Sequence, residues 1–169
     1  MNAKRLIPIL VAGIITVTVA YAARTNYETA PIRAAPTTYI TQPEYTAEEL
    51  ETLAIIIYQE AGADNIPDYI REYVGCVVLN RVEHPEFPGT IQEVATQKQQ
   101  WGRLHWTGIE WPERASDPAE AHAVERARVC AKKLLETDTR PVPLNVIWCA
   151  EFPQGTSTWL HSNGIYFCY

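Results

Sequence analysis

The stretch from Thr46 to Gly62 constrains this chain more than any other. Thr46-Ala47-Glu48-Glu49 is a capping box: the threonine side chain accepts from the backbone at Glu49, and the Glu49 carboxylate reaches back to the backbone of Thr46. Tyr45 and Leu50 occupy the two staple positions around it. A helix therefore starts at Thr46. Leu50, Leu53, Ala54, Ile57 and Ala61 then repeat at helical spacing and form one apolar stripe. Gly62 is the expected stop, with Ala63-Asp64-Asn65 as the following loop.

Glu60 sits at the end of that helix. It lies roughly 80° from the centre of the stripe, beside Leu53 and Ile56, at the edge of the core. Burial disfavours the charged carboxylate and raises its pKa. A carboxylic acid still protonated near neutral pH is what cleavage of a glycosidic bond needs. A solvated helix glutamate is the commoner case for any single position, so the rest of the chain has to decide.

Residues 1–23 read as a signal peptide or an uncleaved signal anchor. Lys4 and Arg5 precede an uncharged apolar run from Leu6 to Ala23, and Ala20-Tyr21-Ala22 fits a cleavage site. Either reading puts the remainder outside the cytoplasm, secreted or held at the membrane by this segment. Residues 24–43 carry Pro31, Pro36 and Pro43 without periodicity and read as a flexible tether. Residues 44–169 form the expected domain. The formal net charge is −6, and no run of lysine or arginine is present, so nucleic acid is not an expected partner.

The four cysteines, Cys76, Cys130, Cys149 and Cys168, contain no CxxC pair, and the four histidines show no ligand spacing. No metal or other cofactor is expected. No G-x-S-x-G and no G-x-G-x-x-G occurs.

A second helix is expected from Pro67 through Arg81, with Gly75 marking close packing against another element. Thr90 to Thr96 reads as a short helix, and Arg103 to Ala115 as a loop. Asp117-Pro118-Ala119-Glu120 opens a further helix that runs to about Thr137. Val142 to Phe152 and Gly164 to Tyr169 read as strands, with a turn at Pro153-Gln154-Gly155-Thr156. The class is α+β, helices followed by a small antiparallel sheet. Cys149 and Cys168, one in each predicted strand, are expected to lie close enough to form a disulfide.

Five blocks, in order, carry a resemblance. They are Tyr58-Gln59-Glu60-Ala61-Gly62, Val74 to Val82, Phe87 to Val94 with Gln97 to Trp101, Asn145 to Trp148, and Ile165 to Tyr169. Together they resemble the spore cortex-lytic, or SleB-like, cell-wall hydrolase family. Trp101 stands where relatives usually carry phenylalanine, and Ser162-Asn163-Gly164 where they usually carry Gly-Asn.

The resemblance implies a lysozyme-like α+β domain that cuts peptidoglycan glycan strands as a lytic transglycosylase; separately, the chain is expected to be a monomer. It assigns the catalytic role to Glu60. Tyr58, Gln100, Trp101 and Tyr166 fall within or beside the same blocks and are the expected sugar-binding residues. A true muramidase would need a second carboxylate, for which Glu93, Glu110, Glu113 and Glu151 are candidates. A non-catalytic wall-binding or assembly protein that kept the fold is the competing class.

Overall fold

A computed structural model describes residues 44–137 and 140–169, all within one structural unit, Gln42–Tyr169. The leader and tether of residues 1–43 lie outside the described residues. Among the described residues no helix is long and apolar enough to cross a membrane.

Helix α1 (Ala47–Ala61) begins at the capping box, with both reciprocal hydrogen bonds formed. Every residue from Thr52 to Tyr58 is buried. The helix is thus more than an amphipathic stripe on a core: Ile55 and Ile56 are covered as fully as Leu53 and Ile57, as befits a helix apolar on nearly all sides. Helices α2 (Asp68–Glu83), α3 (Ile91–Ala95) and α5 (Ala121–Glu136) surround it. The helix ends where expected, but Gly62 has an ordinary right-handed φ of −72° rather than a left-handed one. A Cβ there would run into the Tyr58 carbonyl oxygen, so the glycine serves close approach rather than backbone handedness.

Gly75 lies where α2 crosses α1 and α5. A Cβ on it would stand 2.5 Å from Leu134 Cδ1 and 3.0 Å from Ile57 Cδ1. The segment expected as loop, Arg103 to Ala115, contains a single-turn helix α4 (Leu104–Thr107) and enters a 3-10 turn at Glu113–Ser116. Asp117 accepts from Ala119 N–H and caps a second 3-10 turn, Pro118–Glu120, which leads into α5.

The sheet has three strands: β1 (Trp148–Ala150), β2 (Thr158–Ser162) and β3 (Ile165–Cys168), in the order β1-β3-β2, all antiparallel. Two expectations change here. The predicted strand Val142–Phe152 is extended only over Trp148–Ala150, because the segment before it bonds to a helix instead. Asn80 donates to the carbonyls of Pro143 and Val146 at 2.9 Å each, and Arg81 Nε donates to Ile147 O at 2.7 Å. The hairpin partner of β3 is β2, joined through Asn163-Gly164, with φ of 52° and 78°. Positive φ at both central residues is the type I′ turn that Asn-Gly favours. Tyr73 of α2 meets Phe167 edge-on at 5.7 Å and Trp159 at 5.5 Å, docking the sheet on the helices.

Cys149 and Cys168 do lie in adjacent antiparallel strands, but they are not paired. Cys149 stands opposite Phe167, and Cys168 opposite Trp148. An offset of one residue sends the two side chains to opposite faces. All four cysteines are free.

Candidate functional site

Glu60 is half-buried on the last turn of α1 and borders a cleft of about 520 Å³. One wall is Gln59, Glu60 and the loop at Ala63. The facing wall is the sheet, with Cys149, Glu151 and Ile165, and Asn163 stands at the hairpin turn. The helix end is thus aimed across a gap at the strand ends.

Two arginines fix the loop behind Glu60. Arg71 is fully buried and donates to the carbonyls of Ile66, Gly62 and Ala63, the last at 2.9 Å. Arg126 donates to Asp68 Oδ1 at 2.8 Å and to Ile66 O at 3.1 Å. Buried carbonyls need partners, and these guanidinium groups supply several donors in a rigid fork.

A third arginine lies behind the cleft. The Arg81 guanidinium is buried among three rings: Trp101 at 4.8 Å, Trp148 at 4.9 Å and Phe87 at 5.0 Å. Each ring presents its negative face to a cation. Burial pulls the Arg81 pKa down to about 10, so it stays charged at neutral pH.

Burial raises the Glu60 carboxyl to about 7; the nearby Glu151 carboxylate pushes the same way and Arg81 pulls against both. Glu60 is therefore held close to half-protonated at neutrality, where one group can both give and take a proton. Burial pushes the Cys149 thiol up to about 12, with Glu60 adding to the rise, so Cys149 stays protonated and is no nucleophile.

The other expected sugar-binding residues stand elsewhere. Tyr58 is buried beneath the site, its hydroxyl donating to Glu120 at 2.7 Å. Trp101 is buried against Arg81. Gln100, half-buried, does not line the cleft. Along β3, alternation gives Ile165 to the cleft and turns Tyr166 to the other face, where it stacks on His161 at 3.8 Å. Of the four candidate second carboxylates, Glu151 lines the cleft with Glu60. Glu93 accepts from the Thr90 hydroxyl on α3, and Glu110 and Glu113 line a neighbouring recess. Arg71, Arg81 and Arg114 were not legible as site residues. The one available signal was Asn80-Arg81 within an otherwise apolar helix face.

A family model described as Cell Wall Hydrolase matches residues 70–167. No curated protein and no solved structure matches the chain. The match covers more than half of the sequence, from α2 to β3, and begins after Glu60. The chain belongs to the SleB-like cell-wall hydrolase family, which implies peptidoglycan as its substrate.

Proposed function

From that membership we propose that the protein cleaves peptidoglycan glycan strands between N-acetylmuramic acid and N-acetylglucosamine, as a lytic transglycosylase with Glu60 as acid and then base. The observation that carries this reading is a half-buried carboxyl, raised to about 7, on a cleft of about 520 Å³. That volume lies within the usual range for a small-ligand site. Protonated Glu60 donates to the glycosidic oxygen as the bond to the muramyl C1 breaks. Positive charge develops at C1. The Glu60 carboxylate then takes the proton of the muramyl C6 hydroxyl, whose oxygen attacks C1. A 1,6-anhydro sugar and a chain ending in a free 4-hydroxyl are the products, and the proton returns to Glu60. Gln59, Asn163 and Arg114 line the cleft and are available to the sugar.

Glu151 favours a second reading. It shares the cleft and is close enough to raise the Glu60 pKa, so it is the candidate partner for water attack in a muramidase. Mass spectrometry of digested muropeptides separates the two. Anhydro-muramyl ends that persist in Glu151→Gln support the transglycosylase; reducing muramic ends lost in that variant support the hydrolase. Glu60→Gln should reduce either activity by roughly 10²–10⁴-fold. Retention of more than about a tenth would remove Glu60 from the reaction. The extracytoplasmic location expected from residues 1–23 is part of the proposal, since the substrate lies there.

A further inference from the structure

A second recess, of about 640 Å³, adjoins the cleft: Gln59 and Arg114 line both. Its floor and rim include Trp111, Arg103, Glu110 and Glu113. Trp111 is firmly set, its indole N–H donating to Glu51 Oε2 at 2.8 Å while Arg128 bonds the same carboxylate and lies over the ring. The wall is therefore built, and one of the charges beside it is held in place: the Arg114 guanidinium lies over the Tyr58 ring at 4.9 Å. Among the described residues, none of Arg103, Arg114, Glu110 and Glu113 takes part in an ion pair. Two cations and two anions thus stand around one recess without neutralising each other.

A bare glycan would leave most of those charges unmatched, because beyond hydroxyls and N-acetyl groups it offers only the lactyl carboxylate of each muramyl residue. The peptide stem of peptidoglycan is different. It hangs from the lactyl group of the muramyl residue, the sugar whose C1 is attacked in the reading above. It carries free carboxylates and, on its diamino acid, an ammonium. Gln59 and Arg114, which line both spaces, mark the passage from the cleft beside Glu60 into the recess.

We propose that this recess binds the peptide stem of the muramyl residue being cut, with Arg103 and Arg114 meeting its carboxylates and Glu110 and Glu113 its ammonium. The inference rests on the proposed glycan cleavage for its substrate class. Exposed charge pairs are individually weak, so each contributes a several-fold preference at most. Mutual arrangement, rather than any single pair, gives the selectivity.

The test uses the full-length chain and two readouts. The first is the ratio of kcat/KM on stem-bearing strands to that on strands stripped of stems by an amidase. The wild type should favour stem-bearing strands, and the double charge reversal Arg103→Glu with Glu110→Lys should lower the ratio about three- to tenfold. A ratio unmoved by the reversal overturns the proposal. The second readout needs no cleavage: a free tetrapeptide stem is titrated into the protein and amide shifts are followed by NMR. Saturable shifts at Gly102, Arg103 and Trp111, weakened in the double variant, are expected. Shifts confined to other surfaces, or none at millimolar stem, overturn it. Stem binding without cleavage of either polymer would instead reject the proposed glycan chemistry and leave the recess assigned.

Discussion

Glu60 is a carboxyl whose environment works against its charge. Burial and Glu151 favour the protonated form, and only Arg81 opposes them. The consequence for stability follows from linkage. An unfolded chain has this carboxyl near 4.5, the folded one near 7. Between those values the native state holds more protons than the unfolded state, so stability falls as pH rises through that window. Glu60→Gln removes the loss. The variant should match wild type near pH 4 and be more stable near pH 8, by on the order of 1–3 kcal/mol once partial solvent exposure is allowed for. Urea denaturation at the two pH values measures this, and equal differences at both would place the raised pKa in doubt. The same balance predicts the rate profile. Activity should fall as pH rises past about 7, because the acid must be protonated. Glu151→Gln removes a like charge and should move that alkaline limb to lower pH. A limb that stays in place would mean that the Glu151 charge does not reach Glu60.

At the scale of elements, α2 does the most. One face closes the core at Gly75, and buried polar groups on the helix hold two other segments: Arg71 the loop after Glu60, and Asn80 with Arg81 the approach to β1. Gly75→Val should therefore cost about 1–3 kcal/mol through overpacking against Ile57 and Leu134, despite its gain over glycine in helix propensity. A thermal midpoint at or above the wild-type value would mean that the helices part without strain. This division of labour explains what the sequence disclosed. The start of α1 was legible because a capping box is a local signal, complete within four residues. The position of Glu60 at the helix end and the edge of the core followed from it, since that placement needs only the helix. The sheet was less legible. Val142 to Val146 has strand composition, yet its carbonyls go to Asn80, 63 or more residues away. The Asn163-Gly164 dipeptide is a local hairpin signal, but it identifies a hairpin only once Thr158–Ser162 is seen to be the second strand. Strand adjacency of Cys149 and Cys168 was legible; the one-residue register that separates their side chains was not. Choosing Glu151 among four acids required knowing which strand end faces α1.

The whole molecule joins the first described helix to the last strand. Leu53 and Ile57 near the start and Phe167 near the end belong to one buried cluster, and β3, the last strand, is the central one of its sheet. Such an arrangement has no separable half, because removing either end opens the same core. The cleft depends on the same closure: one wall ends α1, the other is β1 and the β2–β3 hairpin. Residues 42–169 alone should thus unfold in one cooperative step, with far-ultraviolet circular dichroism and tryptophan fluorescence giving the same urea midpoint. They should also release the same muropeptides as the full chain, since the cleft-lining groups among the described residues lie within them. Truncation after Ser157 is expected to do more than trim the sheet. It removes Phe167 from the core and the Cys168 carbonyl that accepts from Ile147 N–H at 3.1 Å, leaving β1 without a partner. The truncated chain should lose its tertiary signal and its activity together. A stable helical remnant with a sharp urea transition would show that the helices fold without the sheet, and that the wall opposite Glu60 docks on them as a separate unit.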